Sequence, residues 1–407
     1  MTKTTKTIFP ASLLCDFYKV SHMNAYPKGT TKIYSTFTPR SNKYMPIAKS
    51  GAVVFGIQMF VSKYLIEYFN THFFNRSKED VVAEYVRYMK FTLGIEEPDA
   101  SHIAELHDLG YLPVEMKALD EGTIAPMQVP FLTLENTHSN FFWVTNYLET
   151  ILSNEIWLPI TSATFTHEMR KMVDKFALET TGSTDGTDFQ LHDFSMRGMA
   201  SFDASVASGM AHLLSSWGTD TIVAIAGHEE YYGANIETEM VGASIPATEH
   251  SVMTALTPTD GSRDEREAIK HLMTEVYPSG LFSFVADSYD FWKVIEETLP
   301  SLYDEVMARD GKVVVRPDSG DPADILCGKD IEDVTNRDYI DSLEDAKSYM
   351  YDYLVETVEE ETPHGEHGET DAEVDFKYEG KYYKLKVEID WDRHDKQYYY
   401  IYDHKEV

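Results

Sequence analysis

Short apolar runs that break off into polar clusters, each followed by a helix-forming stretch, recur through the middle of this chain. Leu281-Phe-Ser-Phe-Val-Ala286 stops at Asp287-Ser288-Tyr289-Asp290, and Val313-Val314-Val315 stops at Arg316-Pro317-Asp318-Ser319-Gly320-Asp321. Leu191-His192-Asp193-Phe194 leads through Arg197-Gly198 into a segment where Met199, Phe202, Val206, Met210 and Leu213 recur at helical spacing. The Ala, Ser and Gly residues between them let that helix lie close on a sheet, and Thr221 to Ala226 reads as a short buried strand. Repeated strand–polar end–helix units imply an α/β fold, and such folds put their sites where strands end and helices begin. The pattern reads as a barrel-like βα unit, complete or not, with its site on one rim and no tandem sequence repeat.

The flanks differ in character. Before this unit, Thr31 to Arg40 alternates as a strand that delivers Arg40 to its end, after a turn at Tyr26-Pro27-Lys28-Gly29. Ile57, Phe60, Val61, Tyr64, Leu65 and Tyr68 follow an amphipathic helical pattern, and Val81 to Phe91 reads as another helix. Short strands at 114–118 and 131–135 precede a helix from about Phe141 to Leu152. After Cys327 the chain turns acidic, with 24 Asp and Glu against 10 Lys and Arg in 328–407. Glu359 to Gly365 reads as a solvated loop, and the alternation of Tyr383, Leu385, Val387, Ile389 and Trp391 as one strand of a half-buried, three-stranded meander turning near Glu379-Gly380. The expected organisation is an N-terminal α+β domain (1–180), an α/β barrel-like domain (181–327) and an acidic extension with a β-meander (328–407).

Charge and cysteine content narrow the function. A net charge of −33 argues against nucleic-acid or anionic-membrane partners, which need basic stripes. An anionic substrate must then be held by a few local basic side chains. Two cysteines, Cys15 and Cys327, fit a reducing compartment and give neither a disulfide framework nor a Cys-based zinc site. With no run near membrane-spanning length and no apolar leader core, the expected location is cytoplasmic.

Seven motifs in order and in register carry a family resemblance: Asp16-Phe-Tyr-Lys-Val20, Tyr34 to Arg40, Leu191 to Phe194 with Arg197-Gly198, Gly218-Thr-Asp220, Ser244 to Ser251, Ala286 to Asp290, and Arg316 to Gly320. Over roughly Ser12 to Cys327 the chain resembles the nicotinamide phosphoribosyltransferases of the type II phosphoribosyltransferase group. The resemblance implies transfer of phosphoribosyl from 5-phosphoribosyl-1-pyrophosphate to nicotinamide with Mg²⁺, coupled to ATP, in a homodimer with shared active sites. It assigns the ring clamp to Phe194 and to Tyr18 of the other subunit, and the carboxamide acceptor to Asp220. Arg316 would contact nicotinamide, and Asp318 the ribose hydroxyls. Arg197, and Arg40 from the other subunit, would hold phosphate oxygens, while Asp16, His192, Ser244, Ala247 and Ser283 would line the substrate sites. His250 resembles the histidine phosphorylated by ATP, with Asp287 either orienting its ring or joining Asp318 around Mg²⁺.

Each residue alone has a plainer reading: His250 as a surface histidine, Phe194 and Tyr18 as core aromatics, Arg40 as a strand-end charge, Asp287 and Asp318 as helix caps. His364 and His367 have a spacing usable by a metal, in an acidic loop. A nicotinate phosphoribosyltransferase and a non-catalytic scaffold are the alternatives. The family's two glycine-rich phosphate-binding segments are not among these 407 residues. The expectation is therefore a fragment or a divergent product that binds nicotinamide-like rings weakly and turns over slowly.

Overall fold

The computed structural model describes residues 9–258, 260–327, 367–378, 381–392 and 396–406, the last three stretches as backbone alone. Two compact units divide the chain, Met1–Ile245 and Pro246–Val407. Unit 1 begins with α1 (His22–Ala25), β1 (Tyr34–Phe37), β2 (Ala52–Val53), α2 (Ile57–Phe60), α3 (Lys78–Leu93), α4 (Ser101–Leu109), β3 (Val114–Ala118), β4 (Ile124–Ala125) and β5 (Leu132–Asn136). It continues with α5 (Trp143–Tyr147), α6 (Glu149–Thr181), β6 (His192–Asp193), α7 (Phe202–His212), β7 (Gly218–Thr219) and α8 (Ile222–Tyr232).

The antiparallel sheet β1-β5-β3 has β5 at its centre, and the two-residue period of β5 buries Leu132 and Leu134. They join a core of Phe60, Phe73, Tyr85, Ile103, Phe131 and Ile156. The apolar stripe from Ile57 to Tyr68 is helical, with π-type turns over Val61–Tyr68. At the start of α3 the Ser77 hydroxyl accepts from the Asp80 amide at 3.2 Å, and Gly94 closes its other end in the left-handed region.

Two sequence expectations fail here. The helix expected to end near Leu152 instead continues as the 33-residue α6 through Pro159. A proline inside a helix forfeits an amide hydrogen bond. Here its ring is buried against Gly56, where a Cβ would stand 2.6 Å from Pro159 Cγ. Packing therefore outweighs the local penalty. The second failure is Thr221 to Ala226, which is not a strand: Ile222 onward forms α8. Gly209 of α7 meets Ala224, where an added Cβ would come within 2.7 Å, and Gly227 meets Met210 as closely. Small residues at both contacts let two helices cross tightly, and that packing overrides the β-propensity of Ile222, Val223 and Ile225. The small residues of α7 thus serve contacts with α6 and α8 rather than with a sheet.

Unit 2 comprises α9 (His250–Leu256), α10 (Arg266–His271), β8 (Ser279–Val285), α11 (Phe291–Lys293), α12 (Leu299–Ser301), α13 (Tyr303–Ala308), β9 (Asp310–Arg316), α14 (Pro322–Cys327) and strands β10 (His367–Tyr378), β11 (Lys381–Asp392) and β12 (Lys396–Glu406). Strands β8 and β9 pair in parallel, Ser279 opposite Asp310 through Val285 opposite Arg316. Phe282, Phe284 and Val285 are buried with Met253, Ile269, Leu272 and Leu302. Arg309 laces the start of the pair: its guanidinium donates to the carbonyls of Tyr277, Ser279, Gly280 and Lys312 and lies 4.8 Å from the Phe282 ring centroid.

Strands β10, β11 and β12 form an antiparallel sheet in that order. The Glu359–Gly365 loop, the Glu379-Gly380 turn, His364 and the side chains of these strands lie outside the described residues. Among the described residues the parallel strands form two separate pairs, β6 with β7 and β8 with β9, and no closed barrel. No helix among them is long and apolar enough to cross a membrane.

Glu265, just before α10, is 3% exposed, and its Oε1 has no hydrogen-bond partner among the described residues. Burial, then the Asp287 and Asp264 carboxylates, push its pKa up to about 7, with His250 opposing. A carboxyl whose folded pKa is raised adds most stability below its unfolded value, and loses it as pH climbs through the folded value. The native state should therefore lose on the order of 3 kcal/mol between about pH 4.5 and pH 7. Denaturant melts of wild type and Glu265→Gln should coincide near pH 4, separate as the pH rises from about 4.5 to 7 and stay apart above it, with the variant more stable. Parallel curves across this range would contradict the buried-carboxyl account.

Candidate active site

In unit 1, β6 and β7 run parallel, and Ala243 bridges Gly218 in the same sense. Their ends bring together His192, Phe194, Asp220 and Ser244. Gly218 has no side chain where a Cβ would stand 2.8 Å from His192 Nδ1, so the imidazole can pack against β7. His192 Nε2 lies 2.9 Å from Asp220 Oδ1, which also accepts from the Ser244 hydroxyl. An oxygen in that position accepts, so the His192 proton is on Nε2.

The His192 ring lies 4.7 Å from that of Phe194, which is half exposed. Beneath them is a cavity of about 600 Å³ lined by Phe165, Met169, His192, Phe194, Ser208 and His212 among others. His212, its pKa lowered by burial, stands 3.0 Å from the Gly218 carbonyl and supports β7. The turn after β6 is set by Asp193, whose carboxylate accepts from the Ser195 amide at 2.9 Å. Burial works against its ionisation, but the Ser195 amide and the nearby Ser195 and Thr221 hydroxyls leave the pKa below the usual range. Arg197 is exposed on the short turn after Phe194.

Asp16 and Tyr18 form a separate group at the start of α6. The Asp16 amide donates to Thr150 Oγ1 at 3.0 Å, and the Thr150 hydroxyl returns a bond to Asp16 Oδ2 at 2.8 Å. Tyr18 is 59% exposed. Strand β1 ends at Phe37, three residues short of Arg40, which is exposed and lines another cavity of about 500 Å³ with Tyr26, Phe37, Asn146 and Glu149.

In unit 2 the ends of β8 and β9 carry Asp287 and Asp318. Asp287 Oδ1 faces His250 Nε2 at 3.1 Å, while its Oδ2 accepts from the Asp318 amide at 3.0 Å and from the Ser319 hydroxyl. Its side chain is only 6% exposed. Burial pulls its pKa up, yet Ser319, the Asp318 amide and His250 outweigh that and hold it below the usual carboxylate range. An ionised carboxylate only accepts, so His250 carries a proton on Nε2; in the neutral ring the lone pair is then on Nδ1, which is 3.9 Å from Asp318 Oδ2. Arg316 donates to the Thr248 carbonyl at 2.8 Å and approaches Asp318 at 3.8 Å. Ala247 pairs with Ser283, which is buried within β8.

Sequence reasoning missed Ser319, Asp193 and Glu265. The first two were visible in their motifs as hydroxyl and carboxylate, but not as partners. Among the described residues no group of three metal-binding side chains occurs.

Residues 11–116 match the model of the nicotinamide phosphoribosyltransferase N-terminal domain, and residues 189–353 that of the nicotinate phosphoribosyltransferase (NAPRTase) family. A nicotinamide phosphoribosyltransferase of Acinetobacter baylyi is 44% identical over 322 residues, covering 77% of this chain and 62% of that protein. One of Mycoplasma pneumoniae is 32% identical over 350 residues, covering 82% of this chain and 72% of that protein. The crystal structure of human nicotinic acid phosphoribosyltransferase shares the fold, with a TM-score of 0.50 at 18% identity over 76% of this chain and 62% of that one. The chain thus spans about 62% of the length of the Acinetobacter relative. It belongs to the nicotinamide phosphoribosyltransferase family.

Proposed function

We propose that this protein transfers phosphoribosyl from 5-phosphoribosyl-1-pyrophosphate to nicotinamide, giving nicotinamide mononucleotide and pyrophosphate. The observation that carries the choice of base is the Asp220 carboxylate beside the half-exposed Phe194 ring. A carboxylate accepts the carboxamide N–H of nicotinamide and repels the carboxylate of nicotinate. In both hydrogen bonds described for it, Asp220 uses Oδ1, which leaves Oδ2 to the ligand.

The pyridine nitrogen attacks the anomeric carbon, the bond from that carbon to the pyrophosphate oxygen breaks, and pyrophosphate leaves with the electron pair. Neutral nicotinamide is a weak nucleophile, so positioning and leaving-group stabilisation carry the rate. Phe194 and Tyr18 of the partner subunit clamp the ring, offset stacking contributing roughly 0.5–1.5 kcal/mol beyond area burial. Arg316 contacts the base, Asp318 the ribose hydroxyls, and Arg197 with the partner's Arg40 the phosphate oxygens, where a planar fork suits the task.

His250 accepts the γ-phosphoryl group of ATP: an imidazole nitrogen bonds to phosphorus as ADP departs. With Nε2 committed to Asp287, the attacking atom is Nδ1. Both oxygens of Asp287 are engaged, whereas Asp318 is half exposed. Asp318 therefore fits Mg²⁺ as a single protein carboxylate, because that ion commonly takes one or two carboxylates plus substrate phosphates. When bound, Mg²⁺ neutralises charge on the phosphates. Asp287 is the orienting group.

Three outcomes are expected. Chromatography of products should show turnover of nicotinamide over nicotinate, and Asp220→Asn should raise the nicotinamide KM roughly tenfold and narrow the preference. A wild-type preference for nicotinate would overturn the assignment. Incubation with ATP should yield acid-labile phosphohistidine recognised by antibodies to the Nδ1-phospho isomer and absent from His250→Ala. The Nε2 isomer would contradict the tautomer argument. In mixed dimers, inactive Tyr18→Ala and inactive Phe194→Ala should restore part of the activity, since one hybrid site holds both native rings. No recovery in a verified mixed dimer would refute sharing.

A further inference from the structure

Tyr18 is exposed, yet two side chains touch its ring. The His22 ring lies 4.9 Å away at 59°, and Lys19 Nζ is 5.6 Å from the ring centroid. Lys19 is itself 5% exposed, and a buried ammonium needs acceptors. It donates to Asn146 Oδ1 at 2.7 Å and to the Glu149 carboxylate. Because an ammonium only donates, the Asn146 atom facing it is the oxygen, and the amide NH₂ points the other way. There it reaches the Tyr26 hydroxyl at 2.7 Å and His22 Nδ1 at 3.1 Å. An NH₂ group only donates, so His22 Nδ1 accepts and its proton is on Nε2. A single amide from α5 thus anchors both groups that flank Tyr18.

We propose that Asn146, acting through His22 and Lys19, is the positioning residue that sets the Tyr18 ring for stacking on the substrate's pyridine ring. This rests on the ring-clamp reading above. An exposed tyrosine that must be ordered by the ligand weakens binding, whereas a ring already held avoids that loss. The difference amounts to a few-fold up to about tenfold in affinity.

The test is a double-mutant cycle on nicotinamide affinity by calorimetry, combined with NMR of the full chain carrying ¹³C-labelled tyrosine rings. The Tyr18 signal is assigned by its loss in Tyr18→Phe. In the wild type the His22 ring should displace it from solvent-averaged tyrosine positions. In Asn146→Leu, and in His22→Ala as a variant at a half-buried position, it should collapse towards those positions, and nicotinamide Kd should rise about three- to tenfold. In a Tyr18→Ala background neither substitution should weaken binding further. An unmoved Tyr18 signal, or an equal loss of affinity in the Tyr18→Ala background, would overturn the proposal and leave Asn146 a structural residue. A wild-type protein that binds no nicotinamide would count against the ring-clamp reading alone, and the Tyr18 signal would then decide this proposal by itself.

Discussion

Asp287 lies at the end of β8 with almost no solvent access, and three donors keep it ionised: His250, the Asp318 amide and Ser319. The chemistry available to unit 2 follows from that one carboxylate. It fixes a proton on His250 Nε2. It also ties the loop after β9 to the end of β8, which sets where Asp318 stands. The parallel register of β8 and β9, with Val285 opposite Arg316, makes this possible by ending both strands at the same level. Unit 1 uses the same device on a smaller scale. Parallel β6 and β7 end at Asp193 and Thr219, and Asp220 then fixes the His192 tautomer beside Phe194. In both units a histidine is oriented by a carboxylate from a neighbouring strand end.

Much of this was legible in the chain. The continuous apolar runs Leu281 to Ala286 and Val313 to Val315 made β8 and β9 visible, and the polar residues after them marked their ends. What could not be read depends on partners far away in sequence. Ser319 meets Asp287 across 32 positions, and His22 meets Asn146 across 124. No spacing rule carries such pairs. The misread α8 shows the same limit from another side. Its β-branched residues favour a strand locally, and only the close approach of Ala224 and Gly227 to α7 makes a helix the better solution. Pro159 in α6 is a third case, where a local helix-stop signal yields to a fit against Gly56.

The N-terminal motif shows how an exposed aromatic can stand among fixed neighbours. Asp16 is clamped to Thr150, Lys19 is buried against Asn146 and Glu149, and Tyr18 projects between these anchors. The buried polar contacts around the exposed ring supply rigidity. Such contacts are costly if left incomplete, which accounts for a lysine at this depth being matched by two acceptors.

Strand-end carboxylates preset the histidine tautomers before any ligand arrives. Two-bond ¹H–¹⁵N correlation of ¹⁵N-histidine-labelled protein at neutral pH tests it directly, with signals assigned through His250→Gln and His192→Gln. Both imidazoles should carry their proton on Nε2 with an unprotonated Nδ1, and Asp287→Asn should release His250 alone into a tautomer mixture. Finding His250 protonated on Nδ1 in the wild type, or unaffected by Asp287→Asn, would contradict it.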